Sequence, residues 1–397
     1  MKREQQGTTA RPLAALVMAV ALLAGCVADH PDPPPASQIR ADAANVVDAR
    51  EIVALVPGRA AADRLDRGAR GQGFGFRERV ELAGIGLWML RYEIPAPLDG
   101  PGAIAALEAI EPAATAGVNH AYVPAAATPA PQTTVADRFD YASALMHWPA
   151  GGCPARGPIG MLDTGVDPAL AARTGTRIET GDFARGAPGP DSHGTEVAAV
   201  LLDPRRLQGT ALYAADVIGR SARGREEAGV DSLLRALDWL AAHDVRLVNI
   251  SLAGPYNKLL DRGVDRAVAR GMIIVAAVGN DGAGAAPRYP AALPNVVAVT
   301  AVDARGRIYD KAVRGAHVDA AAPGVDIYVD TGGAGHFVSG TSMAVPFVTA
   351  RIAADPALYG APAGAIRQRL GASTIDLGQP GRDATYGAGL VVAGPDC

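Results

Sequence analysis

The sequence has no surplus of basic charge: 37 Lys and Arg stand against 41 Asp and Glu, the formal net charge is −4 and the sequence pI is about 6.0. With no Lys/Arg block inside the folded regions, nothing is available to neutralise a phosphate backbone, and nucleic acid is not expected as a partner. The apolar run at 12–25 falls short of the roughly 20 residues that a typical spanning helix needs. Aromatic residues are few, 5% of the chain, but Ala and Gly dominate and 49% of the residues are hydrophobic. Periodic apolar stretches continue through most of the 397 residues, which excludes disorder as the general state and leaves room for one large domain plus a smaller one. No convincing acidic loop for calcium occurs either. Asp303, Asp310, Asp319 and Asp326 are scattered, whereas a calcium site needs several oxygens converging on one point. No metal and no cofactor are expected.

What is present begins with an export signal. Lys2, Arg3 and Arg11 precede the apolar run, which ends in Leu23-Ala24-Gly25-Cys26. That ending resembles a bacterial lipoprotein processing box, which implies removal of 1–25 and lipidation of Cys26 as a membrane anchor. An ordinary cleaved signal with a chance cysteine is the alternative. Val27 after Cys26, rather than Asp, is compatible with outer-membrane sorting, so the expected location is the cell envelope, on the periplasmic side of the outer membrane or at the cell surface. Residues 26–48, with Pro31, Pro33, Pro34 and Pro35, read as an extended tether. Outside the cytoplasm, Cys153 and Cys397 can form a disulfide or remain two free buried thiols, and the sequence leaves both open.

Residues 49–124 carry the pattern of a small α+β unit: strands at 51–56, 80–82, 87–94 and around 119–123, and helices at 59–69 and 103–110. Two βαβ-like halves suggest a ferredoxin-like fold. The stretch 125–138, with Pro129 and Pro131, reads as an exposed linker that does not pack. Residues 139–397 alternate apolar strands (159–162, 245–250, 272–278, 296–300) with helices (195–202, 231–242, 259–270, 341–353). That pattern predicts an α/β fold, a parallel sheet covered by helices on both faces. Functional residues then belong at the carboxyl ends of the strands.

Four segments fall at such places. Asp163-Thr164-Gly165 follows a strand, His193-Gly194-Thr195 opens a helix with Asp191 and Ser192 as candidate caps, Gly279-Asn280-Asp281-Gly282 follows a long apolar strand, and Gly340-Thr341-Ser342-Met343-Ala344-Val345-Pro346 begins another helix. A serine hydroxyl needs a base, a neutral imidazole suits that task near pH 7, and a carboxylate on the far ring nitrogen fixes the tautomer. Ser342, His193 and Asp163 fill those roles, and the Asn280 amide with the Ser342 backbone N–H can hold an oxyanion.

In this order the motifs resemble those of the subtilisin-like serine proteases. The resemblance covers most of 139–353 and includes Ser251, Leu252, Ala253 and Gly254 on a substrate-binding strand that pairs with an extended peptide. It implies a serine endopeptidase acting on polypeptides through an acyl-enzyme, expected as a monomer. More weakly, 49–124 resembles the family's propeptide, an intramolecular chaperone and inhibitor, which implies a self-processing precursor cut between about 123 and 137. Ala253 stands where the family usually has Gly, so the cleft is expected to be narrower there. His317 and His336 are rival bases but read as loop residues. A second Asp-Thr-Gly, at Asp330, raises an aspartic protease as an alternative, though that class is all-β and leaves the other motifs unexplained. The remaining alternative is an inactive envelope lipoprotein that binds peptides.

Overall fold

In the computed structural model the described residues are 31–34, 45–125, 128–129, 140–332, 335–394 and 397. The export signal, Cys26 and most of the expected linker lie outside them. No helix among the described residues is long and apolar enough to cross a membrane.

The N-terminal unit folds in the order β1 (Glu51–Val56), α1 (Arg59–Gly71), β2 (Gly75–Leu82), β3 (Leu87–Glu93), α2 (Gly100–Ile110) and β4 (Thr115–Val118). Its sheet is antiparallel throughout, in the order β2-β3-β1-β4. All six residues of β1 are buried, and α1 turns Ala61, Ala62, Leu65 and Ala69 inward at helical spacing. Asp99 caps α2, accepting the Gly102 N–H at 2.8 Å. The last strand differs from expectation. The sheet closes with Thr115–Val118, and the chain then runs on as β5 (Ala121–Pro124), which leaves the unit and pairs with the larger domain. The sequence pattern gave one strand, around 119–123, where the structure has two separated only by Asn119 and His120, because backbone pairing partners leave no mark on periodicity.

The larger domain is built on a nine-stranded sheet. Its strands are β6 (Ile159–Asp163), β7 (Arg177–Asp182), β8 (Ala211–Asp216), β10 (Leu247–Ile250), β12 (Ile273–Ala277), β13 (Val296–Val302), β14 (Ala320–Pro323), β15 (Thr374–Ile375) and β16 (Leu390–Val391). Two further short strands, β9 (Glu226–Gly229) and β11 (Leu252–Ala253), line the cleft beside β5. The order is β15-β16-β14-β13-β12-β10-β6-β8-β7, parallel except for the β15–β16 pair. Every residue of β6, β10, β12 and β13 is buried, as a sheet covered on both faces requires. One face is covered by α4 (Val230–Ala242) and α5 (Lys258–Ala269), whose apolar residues pack with the sheet's Val248, Ile274 and Ala298. The other holds α3 (Ser192–Leu201) and α6 (Thr341–Ala354), and all fourteen residues of α6 are buried.

Two cross-links complete the frame. Cys153 and Cys397 are bonded as a disulfide across 244 residues, with Cα atoms 5.1 Å apart. Between the two units, Glu51 is fully buried. Its carboxylate accepts hydrogen bonds from Arg91 (2.6 Å), Arg185 (2.8 Å), Arg77 (3.0 Å) and Asn119 (2.8 Å), and Asn119 also donates to Asp231 at 2.7 Å. Arg185 and Asp231 belong to the larger domain, so a buried charge network fixes how the small unit docks.

Candidate active site

Asp163 ends β6 at the carboxyl edge of the sheet, with no exposed surface. One carboxylate oxygen accepts the Thr164 N–H at 2.8 Å and lies 2.6 Å from His193 Nδ1. Thr164 and Gly194 explain why the two motifs read as they do. The Thr164 hydroxyl accepts the Gly194 N–H at 2.8 Å, and a Cβ on Gly194 would lie only 2.4 Å from Thr164 O and 2.6 Å from Gly165 O. Thr195 adds a second tie: its hydroxyl donates to Asp191 O at 2.6 Å and accepts the Asp167 N–H at 2.9 Å. Helix α3 therefore starts three residues earlier than its apolar pattern suggested, and His193 lies in its first turn. Asp191 takes the capping position, but through its backbone carbonyl, with no side-chain cap bond.

His193 is 9% exposed. Burial disfavours its charged form, but the charge and hydrogen bond of Asp163, with the charge of Glu196 behind, outweigh that and hold its pKa above the ordinary imidazole value. Asp216 ends β8 opposite Asp163, and burial, reinforced by the charges of Asp182, Asp163 and Asp191 against one backbone hydrogen bond, pushes its pKa up to about 6.

Ser342 lies in the first turn of α6, which packs against α3. Its hydroxyl and His193 Nε2 are both buried and make no hydrogen bond, with each other or with any other described residue. Asn280 is oriented by Thr341, whose N–H (3.0 Å) and hydroxyl (2.9 Å) both donate to Asn280 Oδ1. That leaves Asn280 Nδ2 facing Gly340. A Cβ at Gly340 would lie 3.1 Å from Asn280 Nδ2, 3.1 Å from Ser342 Oγ and 3.3 Å from Ala125 O, so three groups converge where glycine leaves room.

Pro346 is the sixth residue of α6, beyond the first turn where a missing N–H would go unnoticed. The carbonyl it leaves without its helical donor is that of Ser342, and the Ser251 hydroxyl donates to it at 3.1 Å. Ser251 in turn accepts from Asn249 Nδ2 (3.1 Å), and Asn249 Oδ1 accepts from Thr349 (3.1 Å). This chain ties the Ser342 backbone to β10. Sequence reading placed Ser251 only on the substrate strand and missed Asn249 and Thr349. The signal was available: a proline inside a helix orphans the carbonyl four residues back.

The cleft itself contains the chain's own residues 121–125. Strand β5 lies antiparallel between β9 (Ala228 opposite Tyr122) and β11 (Leu252 opposite Pro124, Ala253 opposite Val123). The Ala125 N–H donates to Ser251 O at 2.9 Å, and Ala125 is 3% exposed. The expectation that the linker begins unpacked at 125 is therefore wrong: main-chain partners, invisible in an Ala/Thr/Pro composition, hold its first residue. Thr128–Pro129 also pairs, with Val338 and Ser339.

The rival residues lie elsewhere. His317 sits in a turn, as expected, but is fully buried, whereas His336 begins a strand (His336–Ser339) rather than a loop, with its Nε2 2.8 Å from Glu196. Asp330 is exposed and accepts the Gly332 N–H, whereas Asp163 is sealed against His193. Among the described residues no group of three or more His, Cys, Asp or Glu side chains could hold a metal ion.

The subtilase family model matches residues 158–389, more than half of the chain, and the chain belongs to that family. It is 30% identical over 263 residues to the minor extracellular protease Epr of Bacillus subtilis strain 168, a match covering 62% of this chain and 39% of that protein. Subtilisin Savinase of Lederbergia lenta is 33% identical over 253 residues, 59% of this chain and 88% of the relative. Among solved structures, fervidolysin from Fervidobacterium pennivorans, a keratinolytic enzyme related to subtilisin, superposes with a TM-score of 0.69 over 89% of this chain and 61% of its own, at 20% identity. That likeness speaks for the fold. Family and sheet together establish the subtilisin-like α/β architecture.

Proposed function

We propose that the chain is a serine endopeptidase made as an exported, self-processing precursor. One observation carries the reading: a buried carboxylate 2.6 Å from an imidazole, with a serine hydroxyl, an amide N–H2 and the carbonyl of an extended peptide segment gathered around Gly340. Ser342 Oγ attacks the carbonyl carbon while His193 takes its proton, and Asp163 orients and stabilises the imidazolium. Asn280 Nδ2 and the Ser342 N–H, at the positive end of α6, hold the developing oxyanion. The C–N bond then breaks, His193 delivers the proton to the leaving amine, and water, activated by the same imidazole, hydrolyses the ester.

Residues 49–124 act as the propeptide in this reading, and the first bond cut is Ala125–Ala126. The position of Ala125 O supports that bond over the others in the span 123–137 considered from sequence. Export is supported by the basic and apolar segment ending in Leu23-Ala24-Gly25-Cys26 and by an extracellular relative, and Cys26 carries the lipid that holds the precursor, and after the cut its N-terminal piece, to the membrane. The Cys153–Cys397 disulfide suits that compartment. Mass spectrometry of the purified protein and of its Ser342→Ala variant tests the whole scheme. A wild-type chain beginning at Ala126 beside an unprocessed variant is the expected result. Identical processing of the two removes autocatalysis.

A further inference from the structure

The imidazole of His193 has a second carboxylate behind it, and that carboxylate leads to the other half of the site. Resting on the protease reading, we propose that Glu196 and His336 are positioning residues for the reaction: together they hold the helix of the base against the strand that delivers the nucleophile, and the charge of Glu196 supports the imidazolium that forms on His193.

The tie follows from chain order. Glu196 comes three residues after His193 on α3, so the two side chains are neighbours on the helix surface. Its Oε1 lies 2.8 Å from His336 Nε2. His336 opens the strand His336–Ser339, which runs directly into Gly340 and then, in the first turn of α6, Ser342. Among the described residues no other side-chain hydrogen bond joins α3 to residues 336–354. Base and nucleophile thus stand on elements joined by apolar packing and one polar clasp. Apolar packing has no preferred direction, whereas a hydrogen bond does. Because the Ser342 hydroxyl and His193 Nε2 are not bonded to each other, the register of α3 against this strand decides how readily they meet.

The clasp also carries charge. Asp163 from β6 and Glu196 from α3 are the carboxylates that favour the protonated form of His193, while Asp191 at the start of α3 is exposed. The other elements packed on α3 bring no cation to Glu196. Arg173, on the helix Ala169–Thr174, faces Asp167 at 3.9 Å, Arg351 of α6 is bonded to Asp355, and the strand Ile327–Val329 offers Tyr328. Among the described residues only His336 lies within ion-pair distance of Glu196. The Glu196 side chain is 14% exposed and that of His336 36%, so water screens the outer end of the pair more than the end near His193. A negative charge there favours the imidazolium that His193 becomes on taking the serine proton. A neutral side chain at 196 would let His193 lose its proton at lower pH.

The experiment uses the full chain, expressed and purified in its active form, with active sites counted by a serine-directed fluorophosphonate. A fluorogenic peptide ending in Tyr-Val-Pro-Ala, the chain's own residues 122–125, is cut across the pH range by the wild type and by Glu196→Ala, Glu196→Gln, His336→Ala and His336→Gln. Each alanine removes the clasp, so kcat at the plateau should fall about tenfold with KM little changed. Each glutamine keeps a hydrogen-bonding group in reach and should restore most of that loss. Charge separates the two positions: both Glu196 variants should move the acid limb of kcat/KM to lower pH by about 0.5, and neither His336 variant should. The near-isosteric Glu196→Gln, its fold checked by circular dichroism, decides the charge effect even where an alanine variant fails to fold. A limb that stays in place in Glu196→Gln, alanine variants as fast as the wild type, or glutamines as slow as the alanines each overturn the inference and leave the protease reading standing. Wild-type protein that neither takes the label nor cuts the peptide overturns that reading, and this inference with it.

Discussion

At the flank of the larger domain the N-terminal unit is held by charge, and in the cleft by main chain. The flank contact places Glu51 and Asp231 among Arg77, Arg91 and Arg185, and each of these side chains is needed because a buried ion without its partners is costly. The cleft contact is a ladder from β9 through β5 to β11, which asks only for an extended backbone wherever the side chain faces out. The two therefore tolerate change differently. A charge network specifies one partner in one orientation, whereas a peptide ladder accepts many sequences and discriminates only where side chains are enclosed, as at Tyr122 and Ala125.

The strongest test of the cleft half is loss of the proposed nucleophile. Ser342→Ala should lower turnover of any peptide substrate by about 10⁴-fold or more, measured as kcat/KM, and leave the precursor uncut. If processing persists, β5 is not the first substrate.

The flank half breaks next. In the Ser342→Ala background, which keeps the units joined, Glu51→Ala should destabilise the folded chain by about 3–5 kcal/mol in urea titration, because three arginines lose a buried counter-charge. Burial opposes ionisation of Glu51, but hydrogen bonds and charges from Arg185 and Arg91 overcome this and draw its pKa down to about 2. A depressed carboxylate stabilises the fold at pH values above its unfolded pKa and loses that contribution only as pH falls towards 2, so the flank contact should survive mild acid.

Within the cleft, removal of the Asn280 amide should cost about 100-fold to 1,000-fold in kcat with little change in KM, since the bond strengthens only as the oxyanion forms. A similar loss confined to KM would make Asn280 a binding residue. The pH profile is a finer probe. In the proposed scheme His193 is neutral when it takes the serine proton, and its pKa lies above the ordinary value near 6.5, so kcat/KM should climb with pH along a limb centred above 6.5. The smallest effect belongs to Val123, whose side chain is largely outside: Val123→Thr in the uncleaved chain should change stability by less than about 0.5 kcal/mol. A large loss there would erase the distinction between the two contacts.

Much of this was legible in the chain. The strand 159–162 and the motifs at Asp163, His193, Asn280 and Ser342 stand where the apolar pattern put them, because continuous buried runs and Gly-bounded turns are local signals. The start of α3 was legible from the motif, which opens the helix at His193, but not from the apolar pattern, which begins at 195; ties through Thr164 and Thr195 hold the polar first turn. Nor were the roles of Pro346 and Ser251, which depend on a carbonyl meeting a hydroxyl 91 residues away.

The sequence by itself determined the family and the alternation of buried strands and helices, because these are written in residue type and order. Only the tertiary structure decided that Ala121–Ala125 lies in the cleft rather than in the small sheet, and that Glu51 anchors the flank. Each of those is a matter of which distant backbone or charge a residue meets, and composition and spacing carry no record of such meetings.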